Sequence, residues 1–354
     1  MTSNTFFYRD RPVFGLDIGY NSLKVMQIDS NGKQQRVSGY GVGTFDHAAV
    51  KDGVVIDPES IAKSVKSLFD HNLVGEISTN RVVMSVPAAH TFTRPMTLPA
   101  MNQKDLCEAV RLEAEQYIPI PLDDLYIDHE ITLENEQNTN VLVVAVPKKI
   151  ADSRLDLARV LGLEAVGIET NIGAGSRLFI QAEQSDVPTV LIDFGSMSTD
   201  ITIYDHGLVV TGTALGGGDS FTAAIADALK VSRQEAHIIK TKYGLGVSKK
   251  QEQIISATKP ILDALIKELR RIIRYYEERS GADEKIDQVV TMGGGANMPG
   301  LSDYLTSNLR LAVRMCDPWQ RLQFGGLQPP NRVEKSTYIT VSGLALTKPR
   351  ELFA

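Results

Sequence analysis

Residues 13–29 read VFGLDIGYNSLKVMQID, and residues 190–205 read VLIDFGSMSTDITIYD. Each is a pair of short apolar runs joined by a turn of small and polar residues, the pattern of a β-hairpin with buried strands. The two stretches keep one offset of 176 residues throughout: Asp17 with Asp193, Gly19 with Gly195, Ser22 with Ser198, and Asp29 with Asp205. Asx-type turn chemistry explains a single hairpin of this kind. Two in register argue for a duplicated unit that opens each half of the chain.

The turns suit phosphate. Glycine admits positive φ and lets backbone N–H groups approach an anion, and Ser or Asn side chains add donors. A carboxylate immediately before such a turn repels phosphate unless a divalent cation stands between them, so Asp17 and Asp193 point to Mg²⁺. Lys24 offsets charge in the first hairpin. Its counterpart in the second is Asp200, so the halves share a plan but not a charge. A third element, TMGGGANMPG at 291–300, joins an apolar strand to a helix and leaves bare backbone for a flat ring or a sugar. No G-x-x-x-x-G-K-[ST] occurs, which excludes a P-loop. Together these elements describe a nucleotide held in a cleft between two domains.

The rest of the chain sets bounds. With 354 residues, 43% hydrophobic and 23% charged, it has material for two or more cored domains. A net charge of −6 without a Lys/Arg block argues against nucleic acid as a partner. No run of 18 apolar residues is present, so no membrane-spanning helix is expected. The first twelve residues, MTSNTFFYRDRP, lack the apolar stretch of a signal peptide, and Phe6–Tyr8 reads as a frayed end or a contact to a membrane or partner. Cys107 and Cys316 match no metal spacing and read as reduced thiols of a cytosolic protein.

Three strands, a helix over 58–70 starting at Pro58, and the strand RVVMSVP compose a mixed sheet covered by helix. Residues 91–149 change texture and read as a small insertion. Its helix starts near Asn102 with Asp105 placed for a capping box, shows Leu106, Val110, Ala114 and Tyr117 on one face, and stops at Pro119 and Pro121. In the second half, Ser232 and Glu235 mark a helix start. A long helix near 257–279 carries Leu262, Leu265, Leu269, Ile272, Ile273 and Tyr276 on one face.

These motifs resemble the actin/Hsp70/sugar-kinase superfamily and, within it, the PilM family of type IV pilus assembly proteins, relatives of FtsA. GLDIGYNSLKV (15–25) is similar to the first phosphate motif, LIDFGSMSTDITIY (191–204) to the second, and VVTMGGGANMPGLSDYL (289–305) to the adenosine motif. GIETNIGAG (167–175) and YITVSGLALT (338–347) resemble the connecting helices, and residues 104–131, around EAEQYIPIP, the PilM insertion. The resemblance implies an α/β, actin-like (duplicated ribonuclease-H-like) two-lobed ATPase fold. Its parts would be subdomain 1A at 13–91, 166–186 and 336–354; an inserted 1C at 92–165; 2A at 187–218 and 286–335; and 2B at 219–285. It further implies ATP with Mg²⁺ between the lobes. Asp17 and Asp193 would hold the metal through water, with Gly19, Tyr20, Asn21, Ser22 and Lys24 below the phosphates. Gly195, Ser196 and Ser198 would close from the other side, and Gly217, Gly218, Lys240, Gly294, Gly295 and Ala296 would border the nucleoside. At Ala236–Lys240, His237 stands where relatives often carry a ribose-binding Glu.

Phosphoryl transfer also needs a group to orient the nucleophile. Glu169, read at the start of the first connecting helix, is the candidate. The resemblance implies a cytoplasmic ATP-binding platform, peripheral to the inner membrane through its partner. That partner is the cytoplasmic N-terminal peptide of PilN in the 1A/1C groove, with pilus motor ATPases and a second copy of the chain as further contacts. A small-molecule kinase and an FtsA-like filament former remain as alternatives from the same superfamily.

Overall fold

The computed structural model describes residues 11–31, 34–183, 187–280, 285–331 and 333–348; Phe6–Tyr8 lies outside them. The opening hairpin forms as its alternation requires. Strand β1 (Phe14–Ile18) pairs antiparallel with β2 (Ser22–Asn31), setting Asp17 opposite Lys24 and Ile18 opposite Leu23. β3 (Gln34–Thr44) continues the meander, and a small hairpin of β4 (Val50–Lys51) and β5 (Val54–Val55) leads to helix α1 (Pro58–Ser67). Pro58 sits in the first turn, and Asp57 caps it by accepting from Ser60 N at 3.0 Å. A wider π turn, Leu68–Asn72, ends the helical run, before β6 (Leu73–Gly75) and β7 (Arg81–Val86), which lies parallel to β1.

The insertion follows. β8 (Phe92–Pro99), β9 (Leu125–Glu134) and β10 (Asn138–Pro147) form a three-stranded sheet in the order β8-β10-β9. Helix α2 (Gln103–Tyr117) packs Leu106 and Val110 on Val141 and Val143. Its expected capping box is half made: Asn102 accepts from Asp105 N at 3.1 Å, but the Asp105 carboxylate takes the Asn102 side-chain amide rather than its backbone. Helix α3 (Lys148–Val160) buries Leu157 and Ala158 with Ile61, Val65 and Leu68. β11 (Glu164–Thr170) adds parallel to β7, and α4 (Asn171–Glu183) crosses toward the second lobe.

The second half repeats the plan. β12 (Thr189–Phe194) and β13 (Ser198–Tyr204) form the second hairpin and β14 (Leu208–Leu215) its third strand. Helices α5 (Gly218–Leu229), α6 (Arg233–Lys242) and α7 (Gln251–Ser280) precede β15 (Gln288–Met292), α8 (Leu301–Leu309) and β16 (Ala312–Met315). The second sheet runs β14-β13-β12-β15-β16, matching β3-β2-β1-β7-β11 of the first in order and in parallel or antiparallel sense. β17 (Leu322–Gln323) returns to pair with β3, so the first sheet reaches into the span expected of the second lobe.

Between the sheets α4 packs on α9 (Ile339–Ala345). Leu178, Phe179, Tyr338 and Ile339 share one buried cluster with Met26 of the first sheet and with Leu191, Val290 and Met292 of the second. The helices approach so closely that a Cβ on Gly343 would lie 1.8 Å from the Ala174 carbonyl oxygen, so only glycine fits there. The chain thus places its two hairpin turns toward one another across a packed helical waist.

Candidate functional site

The first turn closes with Gly19 N donating to Ser22 O at 2.9 Å. Asn21 is exposed at its tip, Gly19 and Tyr20 are half-buried, and the Tyr20 ring lies 5.3 Å from that of His47. Asp17 sits half-buried below. Its Oδ1 accepts from Ser85 Oγ at 2.7 Å, and that hydroxyl accepts from Ile18 N at 3.2 Å. Lys24 is buried in the opposite register position with Nζ 3.4 Å from Ser22 Oγ. Behind Ser85, the fully buried Arg154 donates from Nε to the Ser85 carbonyl at 3.1 Å, while its Nη1 has no partner. Burial pulls this guanidinium down to about 10, against the pull of Asp17.

The second turn has a different electrostatic floor. Asp193 lies opposite Asp200 in the β12–β13 register, and Asn171 spans the two carboxylates. Asn171 Nδ2 donates to Asp200 Oδ2 at 2.9 Å and to Asp193 Oδ2 at 3.3 Å, and Thr213 Oγ1 donates to Asp200 Oδ1 at 2.7 Å. Burial pushes Asp193 up to about 7; Asp200 and Asp17 add to the shift, and Asn171 and Lys24 oppose it. Asp200 is raised as well, chiefly by burial.

Glycines bring two segments against this hairpin. Gly293 has φ of +81°, and a Cβ on it would lie 2.2 Å from Asp193 Oδ1. Such backbone is strained for any other residue. A Cβ on Gly217 would lie 2.4 Å from Gly195 O, which accepts from Gly218 N at 2.8 Å. Ser196 O accepts from Asp219 N at 2.9 Å. Ser196 itself is exposed, Gly195 and Ser198 are half-buried, and Gly294 is open to solvent while Gly295 crowds Phe194.

Three residues chosen from sequence for the nucleoside face inward. Lys240 is buried and donates to Gly218 O at 2.6 Å and Thr222 Oγ1 at 2.9 Å, tying α6 to the start of α5; burial depresses its pKa. Gly218 is buried beneath it, and Ala296 joins the hydrophobic core of the second lobe. Glu235 completes the capping box of α6 with Ser232, and His237 is exposed. Glu169 is the second-last residue of β11 rather than the start of a helix. Both its carboxylate oxygens are engaged by Arg177, at 2.6 and 2.7 Å, and Arg177 also reaches Gly343 O and Thr347 Oγ1. Burial raises the Glu169 carboxyl and Arg177 opposes the shift.

Ser85, Arg154, Asn171 and Thr213 were not selected from sequence. One signal was available: Ser85 is the one uncharged polar residue within the fully buried strand β7, whose other polar member, Arg81, stands at its start. Among the described residues no group of three or more His, Cys, Asp or Glu is placed to hold a metal directly.

Duplicated five-strand units, a helical waist and facing turns define the actin-like ATPase fold. The family description "Type IV pilus assembly protein PilM" matches residues 15–349, and the chain belongs to that family. It is similar to the chain in the PilM-PilN type IV pilus biogenesis complex, with a TM-score of 0.83 and 23% identity, covering 96% of this chain and 98% of that one. It also resembles MreB5 of Spiroplasma citri bound to AMPPNP, with a TM-score of 0.54 and 13% identity over 95% of each chain. Among curated proteins it is 23% identical to the cell division protein FtsA of Bacillus subtilis (strain 168), covering 84% of this chain and 77% of that protein. FtsA of Pseudomonas aeruginosa is likewise 23% identical, at 87% and 83% coverage.

Proposed function

We propose that this chain binds ATP with Mg²⁺ between its lobes and acts as the cytoplasmic platform of a type IV pilus assembly complex, docking the N-terminal peptide of PilN. The observation that carries the nucleotide half is the pair of turns with Asp17 and Asp193 beneath them. Burial and the nearby Asp200 and Asp17 disfavour the Asp193 carboxylate, with Lys24 opposing the shift, and a divalent cation there would favour it. Hard carboxylate oxygens below open N–H-bearing turns fit a hydrated divalent ion. Asp17 and Asp193 would hold Mg²⁺ through water, and the ion, when bound, would screen the phosphates from both carboxylates. Gly19, Asn21 and Ser22 would meet the phosphates from one side and Gly195, Ser196 and Ser198 from the other. Gly294, exposed on the glycine turn, would border the nucleoside.

The docking half is supported by the insertion, beside which a cleft of about 440 Å³ opens toward the second lobe rather than within the expected 1A/1C groove, lined by Ala88, Phe92, Arg94, Tyr117, Ile172 and Tyr275 among others. Mixed apolar and aromatic walls with a few polar groups suit a short peptide. Arg94 stacks 4.4 Å over the Tyr117 ring, giving the wall a cationic face. Membrane association would come through the partner, since no helix among the described residues is long and apolar enough to cross a membrane. Titrating a labelled PilN N-terminal peptide into the Mg-ATP-saturated chain tests this reading. Tyr117→Ala and Phe92→Ala are expected to weaken binding about tenfold or more, a loss of about 1.4 kcal/mol. Equal binding by both variants would place the peptide elsewhere.

A further inference from the structure

Asn171 heads α4 and is bonded at both ends of its side-chain amide. Its Nδ2 donates to Asp200 and Asp193, while its Oδ1 accepts from Ala88 N at 2.8 Å. Carboxylates only accept and a backbone N–H only donates, so the amide has one orientation. Ala88 begins the single turn Ala88–His90 that follows β7 and leads into β8, the first strand of the insertion. Ala88 and Ala89 also wall the cleft between the insertion and the second lobe. On the far side of that cleft, Thr211 Oγ1 of β14 donates to Thr93 O of β8 at 3.1 Å. One planar amide therefore spans from the second lobe's carboxylate pair to the root of the insertion, and the strand growing from that root is tied back to the second lobe. The return of the insertion carries a parallel link, since Arg154 of α3 donates to Ser85 O and Ser85 Oγ donates to Asp17.

We infer that Asn171 is a positioning residue that couples occupancy of the Asp193–Asp200 pair to the shape of the cleft at the root of the insertion. The inference rests on the reading of the site as a Mg-nucleotide site. A cation near Asp193 competes with the Asn171 N–H groups for carboxylate lone pairs. When Nδ2 shifts, Oδ1 shifts with it, because the amide is rigid. The Ala88 N–H must then follow or lose its acceptor, and the turn that walls the cleft moves. Linkage makes the effect reciprocal: a ligand in the cleft that fixes Ala88 changes affinity at the carboxylates by the same factor.

Hydrogen exchange along the whole chain, with and without Mg²⁺ and the nonhydrolysable analogue AMP-PNP, tests this. In the unaltered chain, saturation is expected to protect amides 19–22 and 195–198 and to change exchange at 89–93 by at least about fivefold. Asn171→Ala, titrated to saturation whatever its affinity, is expected to show protection at both turns and a change at 89–93 below about twofold. Ala88→Pro breaks the relay at its other end without touching the carboxylates, since proline is accepted at the first position of a helical turn. It is expected to give the same uncoupling. Full retention of the response at 89–93 in either variant overturns the coupling. So does an unaltered chain with protected turns and no response at 89–93. An unaltered chain without protection at 19–22 and 195–198 overturns the nucleotide reading itself, and the coupling with it.

Discussion

Asp193 stands directly across the β12–β13 ladder from Asp200, at the register position where the first hairpin sets Lys24 across from Asp17. The duplication keeps the backbone and reverses one charge. One lobe therefore sets a lysine across from its carboxylate and the other sets two carboxylates across from each other, which Asn171 and Thr213 partly satisfy.

With no cation bound, two carboxylates facing each other are a source of instability. The Asp193 pKa rises from 3.8 unfolded to about 7 folded, so the folded chain binds the extra proton between those values. Stability then falls as pH rises from about 4 to about 7 and is level above. Asp193→Asn removes this slope. Without nucleotide at pH 8 its melting temperature is expected to exceed that of the unaltered chain by roughly 4 °C, the shift for about 2 kcal/mol, and the gain is expected to shrink at pH 5. Differential scanning calorimetry at the two pH values checks it; a lower melting temperature for the variant at pH 8 contradicts it.

Glu169 separates two roles by substitution. Its bidentate pair with Arg177 fastens β11 to α4 and, through Gly343 and Thr347, to α9. Arg177→Met leaves a mostly buried carboxylate unpaired and is expected to cost about 3 kcal/mol in denaturant unfolding. Glu169→Gln keeps part of the hydrogen bonding and is expected to cost less. A clamp predicts that Glu169→Gln leaves the rate of ATP turnover per bound nucleotide unchanged, whereas a water-orienting carboxylate predicts a drop of about a hundredfold or more.

The helical waist tolerates no side chain at Gly343. A Cβ there meets the Ala174 carbonyl carbon and oxygen at 2.4 and 1.8 Å. Gly343→Ala is expected to destabilise by more than about 4 kcal/mol, or to force α4 and α9 apart. Near-native stability with an unchanged near-UV spectrum would contradict the observed packing.

Much of the fold was legible because its signals are local. The hairpins announce themselves by alternation and turn residues, and their offset of 176 residues anticipates the matched strand orders of the two sheets. Boundaries set by tertiary contact were not legible. The helix read from residue 257 begins at Gln251, six residues before and running through Pro260, because Ile254 is fully buried and Thr258 Oγ1 bonds the Ile254 carbonyl at 2.7 Å. Helix α3 has no sequence mark showing which sheet it covers. The turn residues of the proposed site are legible because each sits in a local motif. Asn171, Ser85 and Arg154 act through partners 22 to 83 residues away, by bonds that no periodicity encodes. Lys240 and Ala296 were selected by motif position, and packing turns both inward.

The duplicated hairpins are proposed to hold a metal–nucleotide complex through Asp17 and Asp193. Calorimetric titration of ATP into the unaltered chain and into Asp193→Ala, each with Mg²⁺ and with EDTA, tests it most directly. The account predicts that Mg²⁺ tightens binding at least about tenfold in the unaltered chain and less than about twofold in Asp193→Ala. Equal Mg²⁺ dependence in the two proteins, or no ATP binding by the unaltered chain, would contradict it.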